Sequence, residues 1–199
     1  AEWCPIPNTS SFATPPRMTT APMFDQQVEF IRHLQRLGKA YFAFNGWGPG
    51  KLYRTAGWRA THKLLPPVAV QGETHRAIRQ FIVASYMIVN GGACAIELTC
   101  VGCYAACCGG VGNFSIWPEY SAAVGSPVQM EPRKDQLTGV WSRRYATGFA
   151  VVNPANTSQI VALPVAKGEK WTDLYGTGVA STVVLPAASG RVFVLANAA

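Results

Sequence analysis

Residues 141–195 read WSRRYATGFAVVNPANTSQIVALPVAKGEKWTDLYGTGVASTVVLPAASGRVFVL. Short apolar runs alternate there with turn residues, the pattern of a small all-β unit. Strands are expected near 143–152, 158–163, 170–174, 181–186 and 191–196, with Lys167-Gly168 and Ser189-Gly190 supplying turns.

Upstream of this run the period changes. Phe24, Val28, Ile31, Leu34 and Leu37 recur at helical spacing, so a helix is expected over about 24–37, with Gly38 as its C-terminal cap. Ala40–Phe44 then fits a buried strand that ends at Asn45 and a glycine-rich loop, 46–50. A second unit repeats the order: a helix over 73–89 that ends at Asn90-Gly91-Gly92, then a strand over 93–98. Helix, strand, helix, strand is the order of parallel sheets. Two such units fall short of a closed barrel, which takes about 250 residues. Residues 1–22 carry five prolines among many Ser and Thr and predict an extended lead-in. The segment 99–131 is irregular. The expected organisation is therefore a lead-in over 1–22, a βα segment with a Cys-rich loop over 23–131, and a β-sandwich over 132–199.

With 199 residues, 49% hydrophobic and 14% charged, the chain has ample material for a core. No apolar stretch is long enough for a membrane span. The first residue is Ala1, which fits removal of a leader or a fragment of a longer chain. Three N-x-S/T sequons begin at Asn8, Asn113 and Asn156, and the six cysteines are Cys4, Cys94, Cys100, Cys103, Cys107 and Cys108. Sequons with an even cysteine count favour a secreted, glycosylated and disulfide-bonded protein. Cys100-x2-Cys103 offers a chelate pair, but the second half of a zinc site is missing. Disulfides are favoured over metal or free thiols, with connectivity open and no metal or cofactor expected. The net charge is +7, part of it in Lys51, Arg54, Arg59 and Lys63 beside Tyr53 and Trp58. A solvated basic loop is favoured there over an anionic-glycan or nucleic-acid surface.

A set of residues in fixed order carries a family resemblance. It comprises Leu37-Gly38-Lys39 before a strand ending at Asn45; Arg79-Gln80-Phe81 with Ala84-Ser85-Tyr86; and Trp117-Pro118-Glu119-Tyr120. It continues through Arg144-Tyr145, Gly148, Val151-Val152-Asn153-Pro154, Leu163-Pro164, Asp173-Leu174 and Leu185-Pro186. Over about 24–196 this order resembles the last two βα units of a glycoside-hydrolase-like TIM-type barrel, distantly akin to α-amylase-type enzymes, followed by its small antiparallel β-sandwich. The resemblance implies an α/β plus all-β fold and the C-terminal portion of a secreted protein acting on or binding polysaccharide or glycan. Another chain, or an N-terminal segment, would complete the barrel. Acid and nucleophile stand on middle strands in such barrels, so the resemblance places the catalytic carboxylates outside this chain. The alternative is a non-catalytic structural or glycan-binding subunit of an extracellular assembly on a glycosidase-derived scaffold.

Candidate site residues follow from strand ends and ring faces. Glycoside hydrolysis needs two carboxyls roughly 5–10 Å apart. Glu97 lies near the end of the second expected strand and is the one catalytic candidate, against a strand-end carboxylate paired with an arginine. Asn45 either bonds a sugar hydroxyl or forms a turn. Trp47 and Trp58 offer flat apolar faces to a pyranose ring, or else pack. The resemblance implies that the turn holding Glu119 is structural, joining barrel to sandwich, and Asp173 reads as a turn residue of the sandwich.

Overall fold

The computed structural model describes residues 21–47, 73–91, 94–100, 118–166 and 169–196. Helix α1 spans Ala21–Arg36 and buries Phe24, Val28 and Ile31, one stripe at helical spacing. It stops in a Schellman turn. The Gly38 N–H donates to the Gln35 carbonyl (2.9 Å) and the Lys39 N–H to that of Leu34 (3.0 Å). Gly38 takes φ +70 there, a conformation that favours glycine. Strand β1, Tyr41–Trp47, follows. Helix α2, Glu73–Val89, leads to strand β2, Cys94–Cys100, which pairs in parallel with β1 from Tyr41↔Cys94 to Trp47↔Cys100. A 3-10 turn at Pro118–Ser121 precedes the remaining strands.

Those strands are β3 (Arg133–Lys134), β4 (Trp141–Arg144), β5 (Gly148–Asn153), β6 (Gln159–Ala162), β7 (Trp171–Asp173), β8 (Gly178–Val179), β9 (Thr182–Leu185) and β10 (Ser189–Leu195). Six of them form one antiparallel sheet in the order β3-β4-β5-β10-β7-β8, and β6 pairs with β9 separately. The expected run 143–152 is divided at Tyr145–Thr147 into β4 and β5, where the Tyr145 N–H bonds the Gly148 carbonyl (2.8 Å).

Both faces of the six-stranded sheet are covered, so every residue of β5 is buried. Trp141, Tyr145, Ala150, Val152 and Val192 pack with α1 and α2 in one core. Phe149, Val151, Trp171, Leu185 and Phe193 form a second core on the other side, closed by Val161 of β6 and Val183 of β9. The first core draws side chains from both sides of residue 131. Burial of a Val, Leu or Phe side chain contributes about 1.5–3 kcal/mol.

The fold class expected from the sequence, α/β plus all-β with the last βα units of a TIM-type barrel, is corrected by this arrangement. The described residues are dominated by the antiparallel six-stranded sheet, the only parallel pairing among them is β1–β2, and no series of βα repeats forms a barrel wall. Helix α2 explains the difference. Residues Phe81 to Val89 are all buried except the half-buried Tyr86, and the helix lies chiefly on β10 and β5. Its apolar period demands a cover but does not say which sheet provides it.

The helix comes unusually close to β10 at Gly190. A Cβ there would stand 3.0 Å from both the Ala84 Cβ and the Phe81 Cα. Gly190→Val is therefore expected to destabilise by about 1–3 kcal/mol. Gly178→Ala, with open space around it, should change stability by less than about 0.5 kcal/mol. Urea unfolding of the two variants checks the contrast.

The β3–β4 turn is organised by Asp135. Its carboxylate accepts from the Thr138 N–H (2.7 Å), the Thr138 hydroxyl (2.8 Å) and the Leu137 N–H (3.0 Å). The Thr138 backbone bond first, then its hydroxyl, lowers the Asp135 pKa below the usual carboxylate value. A lowered folded-state value adds stability above the ordinary carboxylate pKa and loses it as pH falls through the folded one. An NMR titration should place Asp135 below a model Asp, and Asp135→Asn should flatten the acid limb of the stability profile.

Candidate functional site

The C-terminal end of α2 is where three parts of the chain meet. A helix leaves its last four carbonyls without intrahelical partners. Here side chains from elsewhere take three of them. The Tyr145 hydroxyl donates to the Met87 carbonyl (2.6 Å), Arg143 Nη1 to that of Ile88 (3.1 Å), and Gln35 Nε2 to that of Val89 (2.6 Å). Arg143 also donates through Nε to the Gln129 carbonyl (3.3 Å) and through Nη2 to the Met130 carbonyl (3.0 Å). Arg143 is 2% exposed, and the hydrogen-bond partners of its guanidinium are backbone carbonyls. A cation suits this place, because the helix end carries roughly half a negative charge.

Strand alternation puts Arg143 there. Trp141, Arg143 and Tyr145 are the buried positions of β4 and its extension, and Ser142 and Arg144 the half-buried ones. Trp141 Nε1 donates to Asp25 Oδ1 of α1 (2.7 Å), and Lys134 Nζ pairs with Asp25 Oδ2 (2.6 Å). Arg32 of α1 pairs with Glu131 (2.6 Å) and Glu29 (2.6 Å). Beside these contacts a cavity of about 150 Å³ opens, lined by Arg32, Arg36, Arg143, Glu131, Met130 and Pro132 among others.

Glu119, Asp173 and Glu169 also hold structure. Glu119, 1% exposed in the 3-10 turn, accepts from the Tyr175 hydroxyl, and the Arg76 guanidinium lies 4.3 Å from the centre of the Tyr175 ring. Asp173 accepts from the Tyr175 and Thr177 N–H groups (both 2.9 Å), so it organises the β7–β8 turn as expected. Glu169 pairs with Arg144 (3.1 Å) and accepts from the Ala166 N–H (3.0 Å), while Arg144 covers Trp171 at 4.5 Å.

The residues proposed from sequence are placed differently. Glu97 lies within β2, opposite Phe44, and Asn45 lies within β1, opposite Leu98. Neither ends its strand, because the parallel ladder runs on to Trp47 and Cys100. The expected turn at Asn45 is replaced by ladder pairing. Cys94 and Cys100 begin and end β2, about 20 Å apart at strand rise. Asn156 is exposed in the β5–β6 turn, which the buried Asn153 holds through the Thr157 carbonyl (2.9 Å) and the Ala155 N–H (3.1 Å). Trp58, Asn8, Asn113, Cys4, Cys103, Cys107 and Cys108 lie outside the described residues.

Arg32, Arg36 and Arg143 were not among the sequence candidates. One signal was legible, a charged residue at a core phase of the strand pattern between Trp141 and Tyr145. Among the described residues, no three or more His, Cys, Asp or Glu side chains gather as a metal site, and no helix is long and apolar enough to cross a membrane. No protein-family model matches the sequence, and no curated protein matches it.

Loss of the α2 anchors should be measurable. Tyr145→Phe unpairs the Met87 carbonyl and is expected to cost about 1–2 kcal/mol. Arg143→Ala unpairs three carbonyls and leaves a void, an expected cost of about 3 kcal/mol or more. Urea unfolding gives both, and Arg36→Ala, exposed on α1, should be near neutral.

Proposed function

We propose that this chain is a non-catalytic, glycan-binding component of a secreted assembly. The observation that carries the reading is the employment of its carboxylates. Asp25, Glu29, Glu119, Glu131, Asp135, Glu169 and Asp173 each hold an ion pair, a turn or a buried hydroxyl. Hydrolysis of a glycosidic bond requires two carboxyls facing one another across the bond. Those seven are spoken for by structure, which leaves Glu2, Glu73 and Glu97 of the ten acids in the chain. The glycosidase resemblance of the sequence contributes the ligand class to this reading and not the fold.

A second polypeptide segment belongs to the same reading. Two strands are too few for an independently stable sheet, and among the described residues β1 and β2 pair with each other alone. Their outer edges are therefore suited to added strands. The exposed sequon at Asn156 supports secretion with glycan attachment at that turn.

The test is a panel of polysaccharides and glycoprotein glycans assayed in parallel for binding and for release of reducing ends. Binding without release is expected, and Glu97→Gln should leave binding unchanged. Release of reducing ends that disappears in Glu97→Gln would overturn the non-catalytic assignment.

A further inference from the structure

Helix α1 carries two apolar stripes. The first, Phe24, Val28 and Ile31, is buried in the core. The second is Met23, Phe30 and Leu37, which are 50%, 57% and 57% exposed. Leu37 continues the helical course, because its N–H donates to the His33 carbonyl (3.2 Å). A seven-residue spacing drifts only about 20° per step, so these three side chains form one row along the helix. Gln27 and Leu34 are half-buried beside the row. Together the five positions repeat every 3.5 residues on average, the period with which one helix packs along another. A helix with one neighbouring layer needs one apolar stripe, and α1 has a second.

Charge along the same helix selects what covers it. Asp25 and Glu29 stand in the N-terminal half, and Arg32, Arg36 and then Lys39 follow toward the C-terminal end. A second α1 laid antiparallel sets acidic half against basic half. Phe30 is the midpoint of the row, so a two-fold axis there places Phe30 on its own copy and Met23 on Leu37 of the second copy. Glu29 and Arg36 are exposed on one edge of the row, and Arg36 reaches Glu29 of its own chain only at 3.8 Å. Helical side chains lean toward the N-terminus. In the antiparallel pair, Glu29 of each copy and Arg36 of the other therefore lean toward one another.

We propose that the outer face of α1 is an interface with a second copy of this chain, packed antiparallel about a two-fold axis at Phe30. The proposal is independent of glycan binding. The row presents about 300 Å² of apolar side chain per copy, less than the roughly 800 Å² per partner of a stable interface, so the dimer forms and dissociates with concentration.

Sedimentation equilibrium of the full chain tests this. The mass should rise from 21.4 kDa toward twice that value as concentration increases, and Phe30→Gln should weaken association about tenfold or more. Arg36→Glu and Glu29→Arg should each weaken it severalfold, by setting like charges face to face. An equimolar mixture of those two variants should associate again, since an acid then meets an arginine on both sides of the axis. A monomer at every concentration would overturn the second copy as the occupant of this face. A dimer indifferent to Phe30→Gln would put the contact elsewhere and overturn it equally. Charge variants that associate as tightly as the parent, or a mixture no tighter than either alone, would overturn the antiparallel arrangement.

Discussion

Among the described residues, α1 and the six-stranded sheet are fastened together at the end of α2. A helix whose last turn is taken out of water must find donors for its final carbonyls, each of which would cost about 1–3 kcal/mol if left unpaired. The donors come from α1 through Gln35 and from the β4 region through Arg143 and Tyr145. The same three bonds therefore satisfy the helix, orient α1 beside it and set the six-stranded sheet against it. Arg143 adds its remaining contacts to the 129–130 turn, so that turn is held by the same side chain.

The second constraint is the sheet's position between two apolar layers. β5 is buried throughout and β10 at Gly190, Val192 and Phe193, because α2 covers one face and the β6–β9 pair the other. Close approach of β10 to α2 is possible because Gly190 has no side chain. A tightly packed middle layer leaves little room for chemistry. The polar features of interest consequently gather at the rim, where α1, the end of α2 and the 130–132 turn enclose a small cationic cavity.

Legibility in the sequence followed the range of the forces involved. The α1 stripe, the Gly38 cap and the turn at Asp173 depend on neighbours a few residues away, and periodicity and turn chemistry expose them directly. The two-residue strands β3 and β8 are too short to show an alternating pattern, and they exist because a longer neighbour pairs with them. Local sequence puts Asn45 and Glu97 at or near strand ends, yet parallel pairing carries both strands past them. A glycine-rich continuation reads as loop until a partner strand supplies its hydrogen bonds. The carboxylates show the same limit: Asp25, Glu131 and Glu169 carry no local mark of the lysine and arginines they pair with.

The chain's own order of residues determined where most helices and strands form, the reserve of positive charge, and the presence of exposed-turn chemistry such as the Asn156 sequon. These are local properties, set by side-chain period, backbone preference and composition. Tertiary structure alone decided that α2 lies on an antiparallel sheet rather than in a barrel wall, that Arg143 is buried against helix carbonyls, and that three arginines border one cavity. The physical reason is that an apolar face specifies burial but not its partner. Which surface covers it, and which charges that brings together, is settled by long-range packing and by the need to pair every buried polar group.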